Sequence, residues 1–368
     1  MHRGVVAEID LGAVSENLRA VKAFSGHGAV IAIVKADAYG HGAIEVSRTL
    51  VRAGADYLAV AFTEEARKLR EAGIKAPIIV LFDPDIDDVL KYNLIPVLSD
   101  MRSAHCIAKE TEKRGVRIPV HIKVDTGMGR LGLADHPARA ILDIATSKGI
   151  SIEGIMSHFS EADLADPSFA KLQIDSFTNL RAELFQNGLE VKLFHIANSA
   201  AVLSIPESHL DAVRPGIMLY GYSPLQKSKD SSLKPDLVPV MTAKARFISL
   251  RRLCAGTPIS YARTFVTKRE SLIGVIAVGY ADGFSTRFSN NAEVLVRGKR
   301  APVVGRVCMD LTMIDLTDVE DVTECDEAII MGRQGSESIG ADDLARRIGT
   351  IPYEILTSLG SRAKRKYL

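Results

Sequence analysis

The run Ala29–Val34 is apolar and β-branched, and it gives way at once to Lys35, in the stretch Val34-Lys35-Ala36-Asp37-Ala38-Tyr39-Gly40. An unpaired ammonium at the mouth of a buried strand costs on the order of several kcal/mol. Two resolutions are open. The side chain snorkels its charge out past the strand end, or the amine is held in a Schiff base with a cofactor aldehyde. Other apolar runs also end on polar or ionisable groups: Lys123 through Arg130 after one, His158 after the next, His195 and Asn198-Ser199 after a third, and Arg214-Pro215-Gly216-Ile217 after a fourth. Each alone has a structural explanation: His158 suits a satisfied core histidine, and Asn198-Ser199 is a good helix N-cap. The same N-cap, with Gly216-Ile217 nearby, also supplies backbone donors for a phosphate. Taken together, these residues describe a site for an anionic cofactor.

Such a site needs strands that end on one face. Between about residues 28 and 222, apolar runs at 29–34, 57–61, 78–82, 95–98, 120–124, 152–157, 192–196 and 210–214 alternate with segments of helical period, such as 44–52, 63–71, 103–114, 138–148 and 169–186. Continuous rather than alternating apolar strands mean burial on both faces, as in a parallel sheet. Eight β-then-α units in about 200 residues is the count for a (β/α)8 barrel, whose active sites sit at the carboxyl ends of the strands. A doubly wound open sheet is the structural rival. After the polar stretch Lys227–Ser232 the texture changes. Runs at 238–250, 271–278, 292–296, 301–307, 312–316 and 327–331 read as strands separated by Gly, Pro and Asp turns, followed by a helix at 340–348. The expected organisation is a (β/α)8 barrel over 1–234 and a mostly-β C-terminal domain over 235–368, with residues 1–10 free to pair with the latter.

Composition bounds the function. The 368 residues are 47% hydrophobic and 25% charged, with a formal net charge of +1, so no basic field invites nucleic acid or an anionic membrane. No apolar run approaches the length of a transmembrane helix, and the start, Met1-His2-Arg3-Gly4, lacks the features of a signal peptide. Cys106, Cys254, Cys308 and Cys325 have no metal-ligand spacing and read as thiols. The expectation is a cytoplasmic enzyme without a metal.

The motifs sharpen this. VKADAYGHG around Lys35 and Tyr39 resembles the cofactor-attachment segment of the alanine racemases. So do KVDTGMGRLG (123–132), SHFSEAD (157–163), HIANSAA (195–201), VRPGIMLYG (213–221), ISYARTF (259–265), VGYADG (278–283), GRVCMD (305–310) and IPYEIL (351–356), in family order and over nearly the entire chain. The resemblance implies an isomerase that uses pyridoxal 5'-phosphate to interconvert L- and D-alanine by two bases, supplying D-alanine for peptidoglycan. It also implies roles. Lys35 would attach the cofactor and act as the base serving the D-isomer, and Tyr261 as the facing base serving the L-isomer. His158 and Arg214 would lower the phenol's pKa, with Arg214 facing the pyridine nitrogen. Tyr39, Asn198, Ser199, Gly216, Ile217 and Tyr353 would form the shell around the cofactor and its phosphate. Arg130 and the backbone of Met309 would hold the substrate carboxylate, Asp310 would complete that loop, Tyr280 would lie near the gate, and Asp163, Arg306 and Ile351 would narrow the approach. Lys123, so close to Arg130, would be carbamylated, turning a like charge into an anion. Finally, the family implies a head-to-tail homodimer with shared sites.

The chain departs from the family pattern at Ser361–Arg365, where a valine and proline usually follow the first arginine, and at Thr286, where an arginine often stands. Competing readings are a racemase of serine or of broader specificity, a barrel-type pyridoxal-phosphate amino-acid decarboxylase, and a non-catalytic cofactor-binding protein built on a lone barrel. The β domain carrying Tyr261 argues against the last.

Overall fold

The computed structural model describes residues 4–26, 28–225 and 235–368. The start Met1–Arg3 and the polar stretch Lys227–Ser232 singled out above lie outside the described residues. The chain divides into two compact units. One comprises Val14–Ala36 and Ala43–Leu237; the other comprises Met1–Ala13, Asp37–Gly42 and Val238–Leu368. Strands are numbered in chain order, from β1 (Val6–Ile9).

The first unit is a nearly closed parallel barrel. Its strands are β2 (Ala29–Ile33), β3 (Tyr57–Val60), β4 (Ile78–Val80), β5 (Ile95–Leu98), β6 (Ile118–Lys123), β7 (Ile150–Met156), β8 (Leu193–His195) and β9 (Ala212–Val213). β3, β4 and β5 are buried at every position. That fits strands covered by helices outside and by side chains inside. Strands β2 to β8 are neighbours in sequential order, and β9 returns beside β2. A doubly wound sheet would instead reverse its order at a switch point, so the rival topology is excluded. Between β8 and β9 an isolated parallel bridge joins Asn198 to Arg214, and the Arg214 amide donates to Ala197 O at 2.9 Å. This bridge carries the ladder across the gap where the site residues lie.

The intervening helices are amphipathic. Helix Thr63–Glu71 buries Thr63, Ala66 and Leu69, three residues apart. Helix Met101–Lys113 is capped by Asp100, which accepts from the Ser103 amide at 2.8 Å. Helix Ser168–Gln186 buries Ala170, Ile174, Phe177, Leu180 and Leu184, and among them a polar residue, Gln173.

The second unit is a nine-stranded sheet with helices at its carboxyl end. Its strands are β1, β10 (Met241–Leu253), β13 (Ser271–Ile276), β14 (Glu293–Val296), β15 (Lys299–Pro302), β16 (Thr312–Asp315), β17 (Glu327–Gln334), β18 (Glu337–Ile339) and β19 (Lys364–Tyr367); β11 (Pro258–Ile259) and β12 (Phe265–Val266) form a separate hairpin. β10 alternates buried and less buried residues over its first half, as a half-covered antiparallel strand should. A register shift between Phe247 and Ser249 bends it. Over 241–246 it pairs with β1 and β17, and from Phe247 onward with β13, the shift lying within that second pairing. The strand expected over 301–307 ends at Pro302, a residue with no N–H to give a ladder. Two elements were not anticipated from sequence: helix Pro352–Arg362, although Pro at its first position is a helix-start signal, and β19, a Lys-Arg-Lys-Tyr run that pairs in parallel with β1.

Candidate active site

The barrel unit gathers its ionisable groups at the carboxyl ends of its strands. Arg214, just after β9, is 4% exposed and donates from Nη1 to His195 O (2.7 Å), and from Nη2 to Ser157 O (2.5 Å) and Ile196 O (3.0 Å). The same two nitrogens lie 2.8 Å from His195 Nδ1 and 3.2 Å from His158 Nδ1. None of these partners is a carboxylate. Burial alone pushes the guanidinium down to about 9, so it remains a cation at neutral pH. His158 is pushed well below its usual range by burial first, and then by Arg214, Lys123, Arg130 and Lys35.

Lys123, the last residue of β6, is 3% exposed. Burial, then Arg130 and Arg214, bring its amine down to about 8, with Asp125 opposing them. Burial works against the ionised form of Asp125. The backbone N–H groups of Gly127, Gly129, Met128 and Arg130 outweigh it and hold the carboxyl below its usual range. That carboxylate therefore serves the 125–130 loop: it accepts from the amides of Gly127 (2.9 Å), Met128 (2.7 Å) and Arg130 (3.1 Å). Asn198 caps helix Ser199–Ser204, accepting from the amides of Ala200 and Ala201 at 3.0 Å each, and Ser199 Oγ accepts from Gly216 N at 2.8 Å. Ile217 is buried beside them.

Lys35 stands two residues beyond β2, its Nζ 5.8 Å from the ring centroid of Phe82. Burial lowers its pKa most, Arg130 lowers it further, and Glu65 opposes. Glu65 was not anticipated from sequence. Its carboxylate accepts from Ala36 N (2.6 Å), Ala61 N (2.7 Å) and Phe62 N (3.2 Å), so it caps helix 63–71 and ties down the residue after Lys35. The signal available was its position three residues after Phe62, at the third residue of the helix. Gln173 was also missed. Buried in the apolar stripe of its helix, it donates to His158 O at 3.1 Å and accepts from Ser160 N at 3.1 Å, which holds the His158 loop.

From Ala36 the chain turns left-handed. Ala36, Asp37, Ala38 and Tyr39 have φ of 52–53°, a conformation costing about 1–2 kcal/mol per residue. Contacts within the second unit hold the turn. Arg365 pairs with Asp37 at 2.7 Å and donates to Gly40 O at 2.9 Å, and His41 Nδ1 reaches Ala38 O and Tyr39 O at 2.9 and 3.0 Å. Burial takes His41 down to about 4, so it is neutral and Nδ1 carries the proton it donates. Tyr39 is buried with its ring 5.8 Å from that of Tyr353; burial and that neighbour push its phenol up.

The second unit also assembles Tyr261, Tyr280, Met309 and Asp310. Tyr261 is 71% exposed and lies among Ser260, Ala262 and Arg263, whose φ values are 64°, 58° and 53°. Ser260 Oγ donates to Arg306 O at 2.7 Å and sits 3.7 Å from Cys308 Sγ. The amides of Tyr280 and Ala281 donate to Cys308 O and Met309 O, each at 3.0 Å. Arg362 pairs with Asp310 at 3.2 Å and Asp282 at 3.5 Å. Of the residues implied to narrow the approach, Asp163 is an exposed residue of the barrel unit, and Arg306 and Ile351 are exposed residues of the other.

The donor set can be tested against a pyridoxal phosphate. Lys35, Lys123, Arg130 and Arg214 all act on His158, while the nearby carboxylates of Asp125 and Glu65 are occupied by backbone N–H groups. The surplus of fixed positive charge suits a ligand bearing a phosphate together with a substrate carboxylate. A half-buried amine with a lowered pKa, as at Lys35, is the nucleophile that an aldehyde requires. The residues fit the group.

A (β/α)8 barrel with these features defines a fold-type of pyridoxal-phosphate enzyme, and comparison with known proteins gives the family. Residues 9–224 match the alanine racemase N-terminal domain and residues 240–367 the alanine racemase C-terminal domain. The chain is similar to the alanine racemase of Thermodesulfovibrio yellowstonii, 54% identical over 100% of this chain and 99% of the relative. Among solved structures, it resembles alanine racemase from Bacillus anthracis with bound L-Ala-P (TM-score 0.92, 35% identity, 100% of this chain and 96% of that one). It also resembles that from Bartonella henselae with covalently bound pyridoxal phosphate (TM-score 0.88, 30% identity, 99% of each). The chain belongs to the alanine racemase family. It is an isomerase dependent on pyridoxal 5'-phosphate, and its reaction is the interconversion of L- and D-alanine.

Proposed function

We propose that Lys35 and Tyr261 are the two groups that move the Cα proton of alanine, one on each face. One observation carries this. Among the described residues, the only successions of left-handed non-glycine residues are 36–39 and the group 260, 262 and 263. Each lies against one of the two bases. Backbone strain of this kind persists where surrounding structure over-determines it, and it collects at active sites.

The cofactor supplies an electron sink that makes the Cα–H bond of the substrate acidic. Lys35 would attach it, and once the substrate's amine has displaced the lysine, the freed amine, inclined to the neutral form by burial, would take or return the proton on the face of the D-isomer. Tyr261 Oη does the same for the L-isomer. Arg130, with the backbone of Met309, binds the substrate carboxylate, and Asp310 steadies the Met309 loop. Arg214, beside His158, would hold the cofactor ring as a donor that keeps its own proton. Tyr39, Tyr353, Asn198, Ser199, Gly216 and Ile217 hold the phosphate and ring, and Tyr280 lines the approach. The functional division is a cofactor-bearing barrel, 1–234, and a β domain, 235–368, with β1 paired into the latter. No helix among the described residues is long and apolar enough to cross a membrane. The four cysteines are free, which supports a reducing cytoplasmic setting.

Two chains share each site in this reading, with Lys35 and Arg214 from one and Tyr261, Met309 and Asp310 from the other. Its support is the exposure of Tyr261, Tyr280, Met309, Leu311 and Ile351, all large apolar residues of one unit. The test of the base assignment is to incubate the protein and pyridoxal phosphate with L-alanine, L-serine and L-lysine separately and measure each D-isomer. D-alanine formation that vanishes in Lys35→Ala and falls at least ~100-fold in Tyr261→Phe is expected. Undiminished turnover in either variant would overturn the assignment.

A further inference from the structure

Behind Arg214 a chain of polar groups runs back into the barrel, and its direction is forced. A guanidinium only donates, so His195 Nδ1, 2.8 Å from Arg214 Nη1, must be an unprotonated acceptor. His195 is wholly buried and held neutral by burial and by Arg214, so its one proton is on Nε2. That nitrogen lies 2.9 Å from His121 Nδ1, which must therefore accept, leaving the His121 proton on Nε2. The alternative His195 tautomer would set an N–H against the guanidinium N–H and push Arg214 away.

Nothing in packing alone asks for this histidine. His121 is buried on β6, two residues before Lys123 and so on the same side of the strand, and its Nε2 has no hydrogen-bond partner. A buried donor left unmade costs about 1–3 kcal/mol, which an apolar side chain would avoid. The fold also makes room for it. A Cβ on Gly154 of the neighbouring β7 would come within 2.6 Å of His121 Cε1. Below it, Tyr57 Oη donates to Glu153 at 2.6 Å and Lys192 pairs with the same carboxylate at 3.2 Å, so Glu153 is already engaged. The ring is retained at a cost, with a glycine kept to admit it, and its useful atom is Nδ1.

We propose that His121 is a positioning residue: Arg214 demands the His195 tautomer protonated at Nε2, and His121 Nδ1 gives that buried proton its acceptor, so that the tautomer and the way the guanidinium faces are held together. Its bearing on turnover rests on the assignment of Arg214 to the cofactor ring made above.

The test compares His121→Asn, whose carbonyl can replace Nδ1 as acceptor, with His121→Leu and with His121→Gln, whose carbonyl lies one bond too far. The readouts are the 15N shifts of His195 in histidine-labelled protein, thermal midpoint, and kcat against KM for alanine. The protein as it stands and His121→Asn should both show His195 protonated at Nε2. In His121→Leu, and in His121→Gln should the leucine variant not fold, the tautomers should mix. There kcat should fall roughly tenfold with KM little changed, the mark of lost transition-state positioning, and His121→Asn should restore it. An unaltered His195 tautomer in the folded leucine or glutamine variant overturns the proposal, as does an asparagine variant no better than glutamine. Mixed tautomers with unchanged kcat sustain the wire and refute instead the placing of Arg214 at the ring.

Discussion

Lys123 has a buried amine among cations, and its side chain is brought down to about 8 by burial, Arg130 and Arg214. An amine that is neutral in mildly alkaline solution reacts with dissolved carbon dioxide, and the carbamate so formed is an anion able to pair with Arg130. Labelling with 13C-bicarbonate should therefore give a carbamate resonance that is absent in Lys123→Ala; a spectrum identical in the two proteins would sink the idea. The buried histidines allow a second test at this scale. His121 is depressed from about 6.5 to about 4 by burial, and His195 is held well below its usual range by burial, then by Arg214 and His121. Above pH 6.5 both folded and unfolded chains hold these rings neutral, and nothing is lost. As pH falls below 6.5 the unfolded chain takes up protons that the folded one refuses, so stability declines until the folded pKa is reached. For His121 that decline is ~3 kcal/mol by about pH 4, at about 1.36 kcal/mol per unit. Denaturant midpoints between pH 7 and 4.5 should thus fall less steeply in His121→Asn, and parallel profiles would count against it.

Among the elements, the turn after Lys35 depends on a crossing of two backbones. Gly40 has φ of +85°, and a Cβ there would lie 2.6 Å from Leu356 O and 3.1 Å from Gly360 Cα, neither of which can rotate away. Gly40→Ala should cost more than ~2 kcal/mol of stability and weaken retention of the cofactor. A denaturant midpoint matching the parent within ~0.5 kcal/mol would show that the crossing yields. This turn also marks the limit of what sequence reveals. The barrel strands were legible because full burial demands unbroken apolar runs, and the candidate site could be proposed because a lysine, histidines and an arginine sit where those runs stop. Lys-Ala-Asp-Ala-Tyr, by contrast, has the composition of an ordinary right-handed helix, and its hand is set by partners distant in sequence, Arg365, Tyr353 and Glu65 among them. β19 was illegible for a related reason: Lys364–Tyr367 has no apolar alternation, and it is held by backbone pairing to β1 and by ion pairs such as Lys366 with Glu8. Glu65, Gln173 and His121 look like unremarkable polar residues until their partners, distant in sequence, are known.

At the scale of the whole molecule, the two proposed bases belong to different compact units, Lys35 to the barrel and Tyr261 to the sheet. Tyr261 and Met309 are 71% and 54% exposed in a single chain. A proton-transferring phenol left in open water is not oriented against a substrate by anything packed around it. The proposed exchange of halves between two chains resolves this, and it has a consequence that an intrachain site does not share. Lys35→Ala and Tyr261→Phe each destroy both sites of their own homodimer. Unfolded, mixed in equal amounts and refolded with cofactor, the two variants form mixed dimers in about half of all pairings, as a two-fold assembly of indifferent chains must. In a mixed dimer one site carries both lesions and the other carries neither. Activity should therefore return to about a quarter of that of the unaltered protein, from two inactive preparations. Mixing without dissociation should return none until subunits exchange. Were each chain to complete its own site, every site would keep one lesion whatever its partner, and the refolded mixture would stay as inactive as its components.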